Sequence, residues 1–215
     1  MTAPPSRGVF VVLEGGDGVG KSTQADLLVG WVRSRGREAV PTHEPGASAI
    51  GPAVRALLLD RDSPLSSAWA EALLYAADRA EHVAGVVRPA LDRGAVVVCD
   101  RYIDSSVAYQ GVSRGLGAQR IAQVSAWATD GLRPDLTVVL DLDPEVALAR
   151  SADPADRLES LPLSFHREVR QAFLDQAAAD PQRYLVLDAA VDRAAVQAAV
   201  RARLEPLLAG PGGSA

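Results

Sequence analysis

The chain has 215 residues, 48% hydrophobic and 23% charged, with a net charge of −5. That length supports one sizeable domain with its own core, and the composition excludes disorder, collagen and a membrane span of about 18 apolar residues. The acidic balance argues against nucleic-acid binding, the single cysteine, Cys99, argues against a disulfide scaffold, and a start without a leader pattern makes the cytoplasm the expected location.

In chain order, the first apolar run, Val9–Glu14, reads as a buried strand. It leads into Gly15-Gly16-Asp17-Gly18-Val19-Gly20-Lys21-Ser22-Thr23, a match to G-x-x-x-x-G-K-[ST] ahead of a helical segment. In that context the glycines let backbone N–H groups converge on a phosphate, Lys21 reaches the outer phosphates of a nucleotide such as ATP, and the Ser22 hydroxyl ligates Mg²⁺. Of the 22 basic residues only Lys21 is a lysine. A compact ammonium on a flexible stem is not replaced by a planar guanidinium, so a phosphate-reaching position resists a general drift to arginine.

A weaker strand is expected at Glu38–Thr42. Trp69, Leu73, Ala76, Ala80, Val83, Val87 and Leu91 then recur every three or four residues, the stripe of a long helix that Pro89 should kink or end. Ala95–Asp100 is the next strand. The carboxylate at its end, Asp100, suits Mg²⁺ directly or through a water, and Arg101 beside it suits a second phosphate. A strand-end ion pair between the two is the simpler alternative. Leu136–Asp141 and Tyr184–Asp188 complete the strands, Asp143-Pro144 reads as a helix start, and Val196, Val200, Leu204 and Leu207 mark the last helix. Apolar strands alternating with helices give an α/β fold, a five-stranded parallel sheet covered on both faces, with ligands beyond the carboxyl ends of the strands.

A phosphate loop alone does not define a function. The stretches LEGGDGVGKSTQ, HEPG (His43–Gly46), AVRALLLD (Ala53–Asp60), LYAADRAEHV (Leu74–Val83) and DRYIDSSVAYQG from Asp100 together resemble thymidylate kinase, from about Val9 to Ala189. The GPGGSA tail at 210–215 reads as disordered from its composition. The resemblance implies a P-loop kinase domain over residues 1–209 with a short mobile lid at about 150–160, and transfer of the ATP γ-phosphoryl group to dTMP, giving dTDP on the way to dTTP. It implies that Asp17 accepts a hydrogen bond from the sugar 3′-OH and that Arg55 and Arg101 grip the acceptor phosphate. Tyr75 would stack on thymine, Arg79 would donate to a base carbonyl, and Ser106 and Tyr109 would line the base edge and crowd the 2′ position. With Gly18 at the loop position where some members carry arginine, a lid arginine is implied, Arg157 first and Arg150 second. His43 stands where many relatives have arginine, and neither it nor Gln110 receives a role. A homodimer is implied as well. A kinase for another nucleoside or monophosphate, and a nucleotide-dependent regulator, are the competing readings.

Overall fold

The computed structural model describes residues 7–150 and 157–209. Five strands, β1 (Val9–Glu14), β2 (Ala39–His43), β3 (Val96–Asp100), β4 (Leu136–Asp141) and β5 (Tyr184–Asp188), form one parallel sheet in the order β2-β3-β1-β4-β5. The three inner strands are buried along almost their whole length, as a sheet covered on both faces requires. The edge strands β2 and β5 are half exposed. Pro41, which has no N–H to give to a ladder, sits on one of those edges.

Because strand side chains alternate, β1 feeds two cores. Val9, Val11 and Leu13 pack with Leu28 and Val32 of α1 (Lys21–Ser34) and with Val200 and Leu204 of α9 (Arg193–Ala209). Phe10 and Val12 face the other way, onto Val83, Val87, Ala90 and Tyr102. A third cluster joins Val139 of β4 to Val169 and Phe173 of α8 (Leu163–Ala179) and to Tyr109. Each fully buried side chain of this kind contributes about 1.5–3 kcal/mol.

The long helix differs from its apolar pattern. It runs as α3 (Ala68–His82), a π-wound stretch at Val83–Val87, and α4 (Arg88–Asp92). Pro89 neither ends nor breaks it. Proline lacks an N–H and its ring crowds the carbonyl four residues back, and the widened turn immediately before it is where the ladder adjusts. Ala76, Val83 and Val87 are buried as the stripe requires, but Leu73 is 54% exposed. What α3 buries instead is polar: Glu71, Asp78, Arg79 and His82.

The remaining helices are α2 (Gly51–Leu59), α5 (Ile103–Ser106) with a π-wound continuation at Val107–Ser113, α6 (Ala118–Ala128) and α7 (Pro144–Arg150). Asp143 caps α7 as expected, its Oδ1 accepting from the Glu145 amide at 2.9 Å. Residues 151–156, most of the expected lid, and the tail at 210–215 lie outside the described residues. Among the described residues no helix is long and apolar enough to cross a membrane.

Candidate functional site

The parallel register brings the last residues of the strands to one edge of the sheet. Leu13 lies beside Asp100, and Asp100 beside His43. Beyond that edge a cavity of about 710 Å³ opens, lined by residues of the sequence motifs.

The phosphate loop forms one end. Gly15, Gly18 and Gly20 take φ of 132°, 74° and 96°, conformations that side chains avoid. A Cβ on Gly18 would also collide with the Ala147 carbonyl of α7, so this loop has no room for an arginine there. Helix α1 starts at Lys21 with no side-chain cap and no acid in its first turn. Its first N–H groups and its positive dipole end therefore face the loop unopposed. Lys21 is buried and donates to the Gly16 carbonyl at 2.5 Å. Burial, and next the Arg101 guanidinium, lower its pKa to about 8 against the pull of Asp17, Asp100 and Glu14. It is therefore mostly charged near neutrality. The Ser22 hydroxyl donates to Asp100 Oδ2 at 2.7 Å, so the two groups expected to serve a cation touch each other. Among the described residues, no three His, Cys, Asp or Glu side chains converge on a metal-sized point.

Beside the loop, Arg101 follows β3 with a φ of 69°, a left-handed turn, and its side chain reaches the loop backbone. Its Nη1 donates to the Gly15 carbonyl and to Ser105 Oγ, each at 3.1 Å, its Nη2 pairs with Asp17, and its plane lies over the Tyr109 ring at 5.3 Å. The ion pair expected for a bare strand end, Asp100 with Arg101, is not the one formed. Tyr109 donates to the second Asp17 oxygen at 2.8 Å. Burial would raise the Asp17 pKa, but Arg101, Lys21 and this hydroxyl overcome it and hold the carboxyl at about 2. Asp17 is thus a fixed negative charge between two cations.

Arg55, Tyr75, Arg79 and Ser106 line the same cavity, as does Thr23. Arg55 Nη1 donates to the Pro45 carbonyl at 2.8 Å. Arg79 is far more committed than a base-reading side chain needs to be. Its Nε bonds Glu44 at 2.7 Å, Nη1 bonds Ser125 at 3.1 Å, and Nη2 bonds the Tyr102 carbonyl and Ser106 Oγ at 3.1 and 2.9 Å. Glu44 also accepts from His82 Nδ1 at 2.8 Å, and His82 Nε2 meets Thr42 Oγ1 at 2.6 Å. A carboxylate only accepts, so Nδ1 carries a proton.

The two lid arginines are not brought to this cavity. Arg157 is tied to Glu71 of α3 at 2.5 Å and to the Leu58 carbonyl at 3.3 Å, and Arg150 donates to the Ala189 carbonyl at 3.3 Å. Gly15, Gly16 and Val19 lie on the underside of the loop, against β4 and α8. Sequence reasoning missed Glu44 as the centre of a buried network, and it left His43 and Gln110 without roles although both line the cavity. The signal for Glu44 was its position one residue beyond the carboxyl end of β2, where this class of sheet places ligand groups.

A family model described as thymidylate kinase matches residues 13–200. The chain belongs to the thymidylate kinase family. It is 57% identical over 206 residues to the thymidylate kinase of Clavibacter michiganensis subsp. michiganensis, covering 94% of this chain and 97% of that one. To the enzyme of Cutibacterium acnes it is 53% identical, over 94% and 98% of the two chains. The crystal structure of thymidylate kinase from Ehrlichia chaffeensis superimposes with a TM-score of 0.77 at 29% identity, over 92% of this chain and 99% of that one. The residues of the family-matching motifs, Lys21, Arg55, Tyr75, Arg79, Arg101, Ser106 and Tyr109, line one cavity.

Proposed function

We propose that this chain, as one catalytic unit over residues 1–209, transfers the γ-phosphoryl group of ATP to dTMP, giving ADP and dTDP. The observation that carries the reading is the shared cavity, lined by Lys21 and the start of the uncapped helix α1 and also by Arg55 and Arg101. ATP phosphates lie in the loop from Gly15 to Thr23. The dTMP phosphate lies against the Arg55 and Arg101 forks, its base between Tyr75, Arg79 and Ser106, and its sugar against Asp17 and Tyr109.

Phosphoryl transfer passes through a loose transition state, so positioning and charge neutralisation carry the catalysis. Lys21 neutralises the donor oxygens. Arg101 neutralises the acceptor phosphate, and its existing pairing with Asp17 keeps it in place before the substrate arrives. The acceptor is already an anion, and no side chain has to remove a proton from it. Ser22 and Asp100 fit a Mg²⁺ ion, because kinases hold that ion by one or two protein oxygens together with substrate phosphates. When bound, it neutralises charge on the β- and γ-phosphates. An arginine at the transferring phosphoryl group is supplied by Arg157 or Arg150 after either leaves its present partner.

We place the enzyme in the cytoplasm with its substrates, and as a homodimer. Leu73 and Trp127 are 54% and 73% exposed on α3 and α6, two helices that pack side by side, and Val112 nearby is 42% exposed. Exposed apolar side chains on elements packed together favour an interface there, and light scattering on the purified chain reads its mass directly. The acceptor panel tests the activity. With ATP and Mg²⁺, ADP release is measured with dTMP, dUMP, dCMP, dGMP and thymidine. Fastest release with dTMP is expected. Turnover of thymidine but not dTMP, or release independent of any acceptor, refutes the assignment.

A further inference from the structure

Glu14 ends β1 with no exposed surface, and it does not line the cavity. A carboxyl so fully removed from water is costly unless its oxygens are satisfied, and here they are satisfied by one short stretch of chain. Oε1 accepts from the amides of Tyr102 and Ser105 at 2.8 and 3.2 Å, and Oε2 accepts from Ser105 Oγ at 2.6 Å. Those two amides lie at the entry to α5, where helix geometry leaves donors without partners. Glu14 therefore caps, from a neighbouring strand, the helix that carries Ser106 and Tyr109.

The third bond has a direction when Glu14 is ionised. A carboxylate only accepts, so the Ser105 hydroxyl gives its one proton to Glu14. Its lone pairs are then turned toward Arg101 Nη1, which donates to Ser105 Oγ at 3.1 Å. Glu14 thus sets the polarity of the hydroxyl that holds the Arg101 fork. It also pins the chain on one side of the left-handed turn at Arg101, while the Arg101 amide, bonded to the Leu13 carbonyl at 2.9 Å, pins the other.

We infer that Glu14 is a positioning residue for the acceptor-phosphate site, acting through Ser105 on Arg101. This rests on the proposed role of Arg101. The test is a double-mutant cycle in the full-length enzyme with Glu14→Gln, Ser105→Ala and both together. Steady-state rates are taken with whichever monophosphate the wild type turns over fastest, so that a different acceptor would refute the assignment of dTMP and still test the relay. Each single change raises KM for the acceptor about tenfold and KM for ATP by less, since the bonds removed hold Arg101 and neither Lys21 nor the first amides of α1. Because both act on one chain of bonds, the double variant is no worse than about the more impaired of the two singles. Ser105→Thr, which keeps the hydroxyl, retains wild-type KM. Multiplying effects of about a hundredfold in the double variant, equal rises in both KM values, or an acceptor KM unchanged by Ser105→Ala would overturn the inference. If Glu14→Gln does not fold, Ser105→Ala against Ser105→Thr decides it.

Discussion

Removing Glu44 tests whether the Arg79 network is a structural element as well as a wall of the site. Glu44 and Arg79 are 3% and 2% exposed and bonded at 2.7 Å, so solvent screens neither charge. Glu44→Ala leaves a guanidinium buried without its carboxylate and unpairs His82 Nδ1. Breaking a buried pair from one side costs about 3–5 kcal/mol. For a chain of this size each kcal/mol moves Tm by about 2–4 °C, which gives a fall of about 6–20 °C. Circular dichroism melts without nucleotide at neutral pH read it. Adding Arg79→Met replaces the stranded charge with an apolar side chain of similar bulk and recovers part of the loss. It does not restore acceptor binding, because Arg79 also lines the cavity. A Tm for Glu44→Ala within about 2 °C of wild type, or a double variant that loses the sum of two independent penalties, would refute the reasoning.

Other expectations follow from the same geometry. Burial, with Asp104 adding to it, raises the Glu14 carboxyl from 4.5 to about 7. Asp104, Arg101, Lys21, Arg79, Cys99 and Tyr184 are among the charged and titratable groups around it. A raised folded-state pKa contributes stability that is full below the ordinary value and lost as pH rises through the folded value. The Tm of Glu14→Gln relative to wild type should therefore rise between about pH 5 and about pH 8, and a flat difference contradicts the burial argument. Lys21→Ala should abolish turnover while the circular dichroism spectrum is preserved. Tyr75→Ala should raise KM for dTMP more than KM for ATP, and equal values for wild type and variant remove the stacking role. Arg157→Ala should lower kcat far more than it changes dTMP affinity, and an unchanged kcat transfers the role to Arg150.

What could be read in advance depended on whether the information was contiguous. β1, β4 and β5 were legible to the residue, because buried β-branched runs between turn residues have few alternatives. β2 was offset by one position, as an edge strand with weak alternation and a proline allows. The loop from Gly15 to Ser22 was legible for the same reason as the inner strands: its chemistry lies in consecutive residues. The face of α3 was not. Counting apolar residues put Leu73 inside, whereas the protein buries Glu71, Asp78, Arg79 and His82 by pairing them with partners from other segments. Glu44 and Arg79 are 35 positions apart, and nothing local marks either one for the other. Arg101 was legible as a residue at the carboxyl edge of the sheet, but its pairing with Asp17 across 84 positions was not.

The central claim is that two nucleotides meet end to end over Lys21 and Arg101. A crystal structure with a non-hydrolysable ATP analogue and dTMP tests it most directly. The account predicts the analogue's phosphates within the loop at Gly15–Ser22 and the dTMP phosphate on Arg55 and Arg101, with the reacting atoms facing each other. A dTMP molecule bound elsewhere, or held with its phosphate away from those two arginines, would contradict it.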